Sequence, residues 1–398
     1  PRVTTHIIGA GMAGLAAACT LVEAGEHVVL HEAAKAAGGR CRSYFDPQLD
    51  CRIDNGNHLL LSGNAATMAF LERIGTLHSL AGPKNPDFPF ADVQTGAHWT
   101  LRINHGRLPW WIFSAARRVP GTRVMDYMAL LKLRGAKAND LVQPMIGESG
   151  PLYKNLLEPL AIAALNTMPD VASAAALKTV IAETIERGGA HSIPRFPAVG
   201  LSESFVDPAL AYLAANGAQI RLGSRVTALE PDQKTILAVP PWIAQEIVPG
   251  LTAPDEFEAI ANLHFRHELA PGEAGFWGLI GGTAEWAFAK GDILSVTISA
   301  ANRVADIPNE ELAAKVWGDL AAGFGLPAAM PAYRVVREKR ATFAATPAQL
   351  AKRPQTRTAN PLLMLAGDWT DTGLPATIEG AIRSGNAAAL AFLSKNRV

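Results

Sequence analysis

The sequence predicts an α/β chain in which a discontinuous Rossmann-like domain carries an inserted α+β domain. Three observations predict it. An apolar run, Val3 to Ile8, passes into Gly9-Ala10-Gly11-Met12-Ala13-Gly14, a helix-forming run (Leu15 to Ala24) and a second apolar run from His27 that ends in Glu32. Text of the same kind returns in the middle of the chain and at its end. The stretches between are apolar, irregular and broken by Pro and Gly.

Each residue of the first unit has a physical reason. Gly9 permits a tight turn out of the strand, Gly11 leaves room for a pyrophosphate against the backbone, and Gly14 lets the helix pack closely on the sheet. Met12 and Ala13 open the helix, whose free N–H groups and positive dipole end face the phosphates. Glu32, about twenty residues on, is placed to accept hydrogen bonds from ribose hydroxyls. The unit therefore predicts dinucleotide binding.

The remaining elements follow in order. Helices are expected at 64–74, 110–118, 123–135, 153–166 and 172–187, with a small sheet in the broken text from Leu80 to Thr100. A second block opens at Phe196 with a helix from Ser204 to Asn216, two short strands from Gln219 to Leu229 around Gly223, and a strand from Ile236 to Val239. Strands are expected at 275–281 and 293–299, a helix at 309–324, a strand at 362–366 and a final helix at 378–393. Lys290 is assigned to a Gly-Asp turn. The expected division is 1–75, 196–245 and 335–398 for the nucleotide-binding domain, and 76–195 with 246–334 for the substrate domain.

Composition narrows the function classes. The 398 residues carry 36 basic and 36 acidic side chains, with no long basic run, so no nucleic-acid partner is expected. Cys19, Cys41 and Cys51 form no CxxC pair, which fits a reducing cytoplasm, and no metal site is expected. The apolar stretch Ile7 to Cys19 reads as glycine turn and buried helix rather than export signal, and no run reaches the ~18–20 apolar residues of a membrane span.

Gly38-Gly39-Arg40 and then Asp54-Asn55-Gly56-Asn57-His58 follow Glu32, and LMLAGDWTDTGLPATIEGAIRSG occupies Leu363 to Gly385. In this order the chain resembles the FAD-dependent amine oxidase and phytoene desaturase superfamily, the GR2-type flavoproteins. The resemblance implies a Rossmann-like FAD-binding domain. Gly39 and Arg40 would lie beside the flavin and its pyrophosphate, Arg40 neutralising phosphate charge. Asn57 would lie near the flavin. Val226, in Arg225 to Leu229, would meet the adenine, and Gly367-Asp368 would bond the ribityl chain. Ala376, Thr377 and Ile378 would bring a helix N-terminus to the pyrimidine end. With no cysteine after Cys51, FAD is expected to be non-covalent.

LEPLAIAALNTMPDVAS (157–173), WGLIGGTAEWAF (277–288) and the carboxyl-terminal text are similar to the squalene-associated, desaturase-like branch. Its best-described activity is hydroxysqualene dehydroxylation in hopanoid biosynthesis. That resemblance implies a hydrophobic isoprenoid substrate in an apolar pocket. Candidate lining residues are Trp110, Trp111, Phe113, Leu160, Leu165, Trp277, Trp286, Phe288 and Leu374. It also implies hydride delivery to an allylic carbon while the hydroxyl leaves as water. His58 is the first candidate proton donor, before His191, Asp371 and Glu379. A carotenoid-type desaturase, a flavin amine oxidase and a non-catalytic lipid-escort protein are the alternatives. No second GxGxxG with a partner acid is present, so an external electron donor is expected. Trp110-Trp111 beside Arg117-Arg118 suggests peripheral contact with the inner face of the membrane.

Overall fold

The computed structural model describes residues 4–394. Val3 and the outer ends of the expected 1–75 and 335–398 segments lie outside the described residues. The chain opens with β1 (Thr4–Ile8), α1 (Met12–Glu23) and β2 (His27–Glu32), followed by α2 (Ala65–Arg73), β3 (Asp87–Asp92) and β4 (His98–Arg102). A helical stretch holds α3 (Glu158–Leu165) and α4 (Ala174–Glu183). Then come α5 (Asp207–Ala215), β5 (Gln219–Leu222), β6 (Lys234–Leu237), β7 (Phe257–Arg266), β8 (Phe276–Ile280), β9 (Trp286–Lys290) and β10 (Ile293–Ile298). The chain closes with α6 (Asn309–Phe324), β11 (Tyr333–Phe343), β12 (Leu363–Leu365) and α7 (Ile378–Leu393).

Among the described residues β5, β2, β1, β6 and β12 form a parallel sheet in that order. Its strands come from the start, middle and end of the chain, as the three pieces of text predict. α1 and α7 pack together on one face through small residues. Ala13, Ala16 and Ala17 meet Ala388 and Ala389, and a Cβ on Gly385 would stand 2.1 Å from the Ala13 carbonyl oxygen. Only glycine allows that approach, so the last helix is fixed against the first.

The second sheet runs β11-β7-β10-β9-β8-β3-β4. Period-two alternation splits its side chains between two faces. Ala261, Leu263, Phe265, Val296 and Ile298 point to α6, which presents Leu312, Val316 and Leu320 in a four-residue stripe. Each such buried side chain contributes about 1.5–3 kcal/mol. Asn262, His264, Ser295, Thr297 and Lys290 are on the opposite face, where the two domains meet. β11 spans the expected boundary at 335 and pairs with β7 from Phe257↔Phe343 to Phe265↔Tyr333, so it belongs to the second sheet.

Several expected elements are altered. The helix expected from 110 to 118 is a 3-10 turn over Trp110–Phe113, and that expected from 123 divides into a 3-10 turn, Val124–Tyr127, and a short helix, Met128–Leu133. α3 and α5 each begin after a π turn, Tyr153–Leu157 and Ser202–Val206. Pro159 and Pro208 lack the N–H that would continue the helix ladder, which widens the turn before them. The strand expected at Arg225 to Leu229 does not form. β5 is the edge strand, and after Ser224 donates to the Glu32 carbonyl the chain leaves the sheet with no neighbour to pair with. No helix among the described residues is long and apolar enough to cross a membrane.

Candidate active site

The site is built where β1 ends. Gly9 has φ +104°, and a Cβ there would stand 2.4 Å from the Ala238 oxygen. On Gly14 it would stand 1.9 Å from the Gly9 oxygen, so α1 sits directly on the turn. Gly11 differs: nothing lies within 4 Å of its missing Cβ. The turn therefore opens outward at Gly11, and no side chain caps the α1 N-terminus at Met12 and Ala13. The Glu32 carboxylate accepts from Ala10 N (2.9 Å) and Ala34 N (2.8 Å). It stiffens the glycine turn and keeps lone pairs for further donors. Val226 packs beside Ile8 and Leu237 at the end of the same sheet.

The second glycine pair closes on the first. Gly38 N donates to the Ala10 oxygen (2.7 Å), and a Cβ on Gly39 would stand 3.4 Å from the Gly11 Cα. Arg40 follows, with its guanidinium donating to Asp368 (2.8 Å) and to the Ala341 oxygen at the end of β11 (2.5 Å). Burial opposes its charge, yet Asp368 and Glu338 hold it firmly protonated. The pair joins the two domains and the Gly367-Asp368 turn at one point. Gly367 N donates to Ser384 Oγ (3.0 Å), tying the turn to α7. Ala376 precedes the α7 N-cap, Thr377, whose hydroxyl accepts from Gly380 N (3.0 Å), and Ile378 opens the helix. An open glycine turn, an uncapped helix N-terminus, an acid and a guanidinium together fit a dinucleotide.

Asp54 lies deeper. It accepts from Ser43 Oγ (2.6 Å), Leu201 N (2.8 Å) and Lys290 Nζ (2.7 Å). Burial works against this carboxylate, but Lys290 and those hydrogen bonds hold it below the usual range. Lys290 is thus the last residue of β9, not part of a turn, and is half-buried with its ammonium on the buried Asp54 carboxylate. His58 is half-buried beside the pair. Burial, with Lys290 and Arg40, holds its imidazole down at about 4 although Asp54 pulls the other way, so it is neutral at pH 7. Asn57 bonds Ser295 Oγ (2.8 Å) and Thr297 Oγ1 (3.0 Å), and Ser295 bonds His264 Nδ1 (2.8 Å). Thr297 donates to Asn262 (2.9 Å), which completes a polar floor on the second sheet.

An aromatic wall continues that floor. Trp286 and Phe288 of β9 cluster with Phe196 and Phe276. Leu165 is buried in the helical layer, and Leu160 at its edge is half-buried. Leu374 is buried, its carbonyl held by Arg353 (2.7 Å). Four other expected lining residues are elsewhere. Trp277 faces α6 and meets Phe324 edge-on, because its neighbour Phe276 takes the wall face of β8. Trp111 is a core residue against Tyr127, while Trp110 and Phe113 point outward.

The other titratable candidates separate as clearly. Glu379 accepts from Ala66 N (3.1 Å), Thr67 N (2.8 Å) and Thr67 Oγ1 (2.7 Å), so it caps α2 and is not a proton donor to the site. Asp371 is exposed and accepts from Gln355 (2.8 Å). His191 belongs to a 3-10 turn whose backbone accepts from Gly63 N. Sequence reasoning missed Arg353, which also bonds the Asp368 and Thr370 carbonyls and shapes the flavin-facing loop expected there. It missed the Asp54–Lys290 pair as well, since 236 residues separate the partners.

Comparison with known proteins adds to this geometry. Residues 7–74 match the NAD(P)-binding Rossmann-like domain, and residues 279–392 match the flavin containing amine oxidoreductase family. The chain is 47% identical to hydroxysqualene dehydroxylase of Rhodopseudomonas palustris, covering 99% of both chains. It is 44% identical to the protein of that name from Sinorhizobium fredii, covering 98% of both. Among solved structures, cyclohexylamine oxidase of Brevibacterium oxydans superposes with a TM-score of 0.71 at 17% identity over 100% of both chains, a likeness of fold.

Proposed function

The chain belongs to the hydroxysqualene dehydroxylase family, and from that premise we propose that it reduces hydroxysqualene to squalene with a non-covalently held FAD. The full-length likeness to that family carries the reading. Bound FAD in its reduced form supplies the hydride. In the overall change the allylic C–O bond breaks, a C–H bond forms, and the hydroxyl leaves as water with one added proton.

The chain's own residues divide the remaining work. Gly9, Gly11, Gly39 and the N–H groups of Met12, Ala13 and Gly14 hold the pyrophosphate, and Glu32 and Val226 hold the adenosine end. Arg40 and Asp368 fix each other 2.8 Å apart beside the ribityl chain. Ala376, Thr377 and Ile378 bring the positive end of α7 to the pyrimidine end, where negative charge gathers on reduction. Trp286, Phe288, Leu165 and Leu374 exclude water, which would otherwise recapture an allylic cation.

His58 is assigned to the leaving hydroxyl; its ring is neutral at pH 7, so it orients that hydroxyl through an N–H hydrogen bond, and the proton that completes the departing water is taken from the medium. His58→Ala should keep its flavin and lose turnover about tenfold, the scale of one lost orienting hydrogen bond. Full turnover in that variant would remove the role. The test of the whole reading is a substrate panel with the purified protein. Hydroxysqualene should be consumed anaerobically with reduced FAD. Polyamines and aromatic amines should give no peroxide in air, and peroxide from any of them would favour an amine oxidase.

A further inference from the structure

We propose that the face formed by residues 107–137 docks the protein on an anionic phospholipid surface. Twelve large apolar side chains are recorded as exposed among the described residues, and six of them fall between 108 and 131. Leu108 is 79% exposed, Trp110 53%, Phe113 69% and Met125 70%, with Met128 and Leu131 close to half exposed. They are not scattered. Trp111 and Tyr127 turn inward and meet edge-on at 5.3 Å, which clamps the two short helical turns side by side. Val119 N donates to the Tyr127 hydroxyl (3.0 Å), and Arg118 bonds the Ile112 and Thr122 carbonyls across the connecting turn. With the inward positions taken, Trp110 and Phe113 on one turn and Met125, Met128 and Leu131 along the other are left facing solvent.

The charge of this stretch decides the partner. Within 107–137, Arg107, Arg117, Arg118, Arg123, Lys132, Arg134 and Lys137 stand against Asp126, a net charge of +6 in a chain whose total is zero; Glu186, from outside the stretch, pairs with Arg134 at 2.8 Å and leaves the face strongly basic. Arg117 lies over the Trp110 ring at 4.8 Å, which brings a cation and an interfacial aromatic to the same point. An apolar center of Trp, Phe, Met and Leu ringed by Arg and Lys matches the acyl boundary and headgroups of an anionic leaflet. The inner side of the same helical layer packs on Phe88 and Phe90, and Phe90 reaches Trp286 of the aromatic wall at 6.1 Å. A substrate dissolved in the bilayer would thus enter on the docked side. That last step rests on the isoprenoid reading, whereas the docking surface does not.

Vesicle co-sedimentation of the FAD-loaded full chain tests the proposal. The expected result is binding to phosphatidylcholine vesicles containing phosphatidylglycerol, weakened by added salt and weak on phosphatidylcholine alone. Trp110→Ser with Phe113→Ser, and separately Arg107→Glu with Lys132→Glu, should each weaken it about tenfold or more. Phe45→Ser, an exposed aromatic outside the patch, should leave it unchanged. Turnover of detergent-dispersed hydroxysqualene should be equal in all four proteins. This control separates failure of docking from failure of the enzymatic reading. No vesicle binding, or binding that both double variants retain in full, overturns the proposal and leaves the face for a protein partner.

Discussion

His264 is 2% exposed, and burial, with Lys290 nearby, holds its imidazole down at about 4 against an ordinary 6.5. Above pH 6.5 the ring is neutral in the folded and unfolded chain, so it contributes no pH dependence. Between 6.5 and about 4 the unfolded chain takes up a proton that the folded chain refuses, and stability falls as pH falls. At ~1.4 kcal/mol per pKa unit the loss is on the order of 3 kcal/mol for this one residue, and His58 acts in the same direction. His264→Asn should flatten the decline, as read by urea unfolding between pH 7.5 and 4.5. Equal slopes for the two proteins would contradict the assignment. At this scale the sequence revealed residues that sit inside contiguous motifs, such as Gly11, Arg40 and Asp368. It did not reveal Lys290 against Asp54 or Asn57 on Ser295, because those partners are brought together by the domain interface. Glu379 was misread because its cap on α2 joins residues more than 300 positions apart within the nucleotide-binding domain.

Among elements, the glycine turn separates a binding role from a packing role. Gly11→Ala meets nothing within 4 Å, so the protein should keep its unfolding temperature within a few degrees while losing flavin affinity at least tenfold. Gly14→Ala forces a Cβ to 1.9 Å from the Gly9 oxygen, and Gly385→Ala one to 2.1 Å from the Ala13 oxygen. Both should cost several kcal/mol through backbone displacement and lower the yield of folded protein. Thermal unfolding and bound-flavin absorbance on the three variants check this. Retained flavin in Gly11→Ala would contradict the pyrophosphate assignment. Long periodic elements such as α6 and α7 were legible, since a buried stripe repeats over four turns. The 110–135 stretch was not, because its apolar residues face both inward and outward. The strand expected around Val226 failed because edge position, not local propensity, decides pairing there.

Across the whole molecule, three separated stretches make one parallel sheet, and the intervening text supplies a second sheet and a helical layer. The interrupted nucleotide-binding text made that legible. The assignment of β11 to the second sheet was hidden, since its pairing with β7 is a long-range choice. Besides the Asp54–Lys290 and Asn57–Ser295 contacts, two further links tie the halves together. One is the Arg40 link to Asp368 and Ala341, and the other is Arg383 bridging Glu379 of α7 to Glu183 of α4. The polar floor meets residues 54–57 of the nucleotide-binding half through Lys290–Asp54 and Asn57–Ser295, with the aromatic wall beside it on β9. The most direct measurement is an anaerobic single turnover: reduce the bound FAD photochemically, add hydroxysqualene, and follow flavin absorbance while assaying product. The account predicts flavin reoxidation coupled to one squalene per FAD. Flavin that stays reduced with substrate present, or reoxidises without squalene, would contradict it.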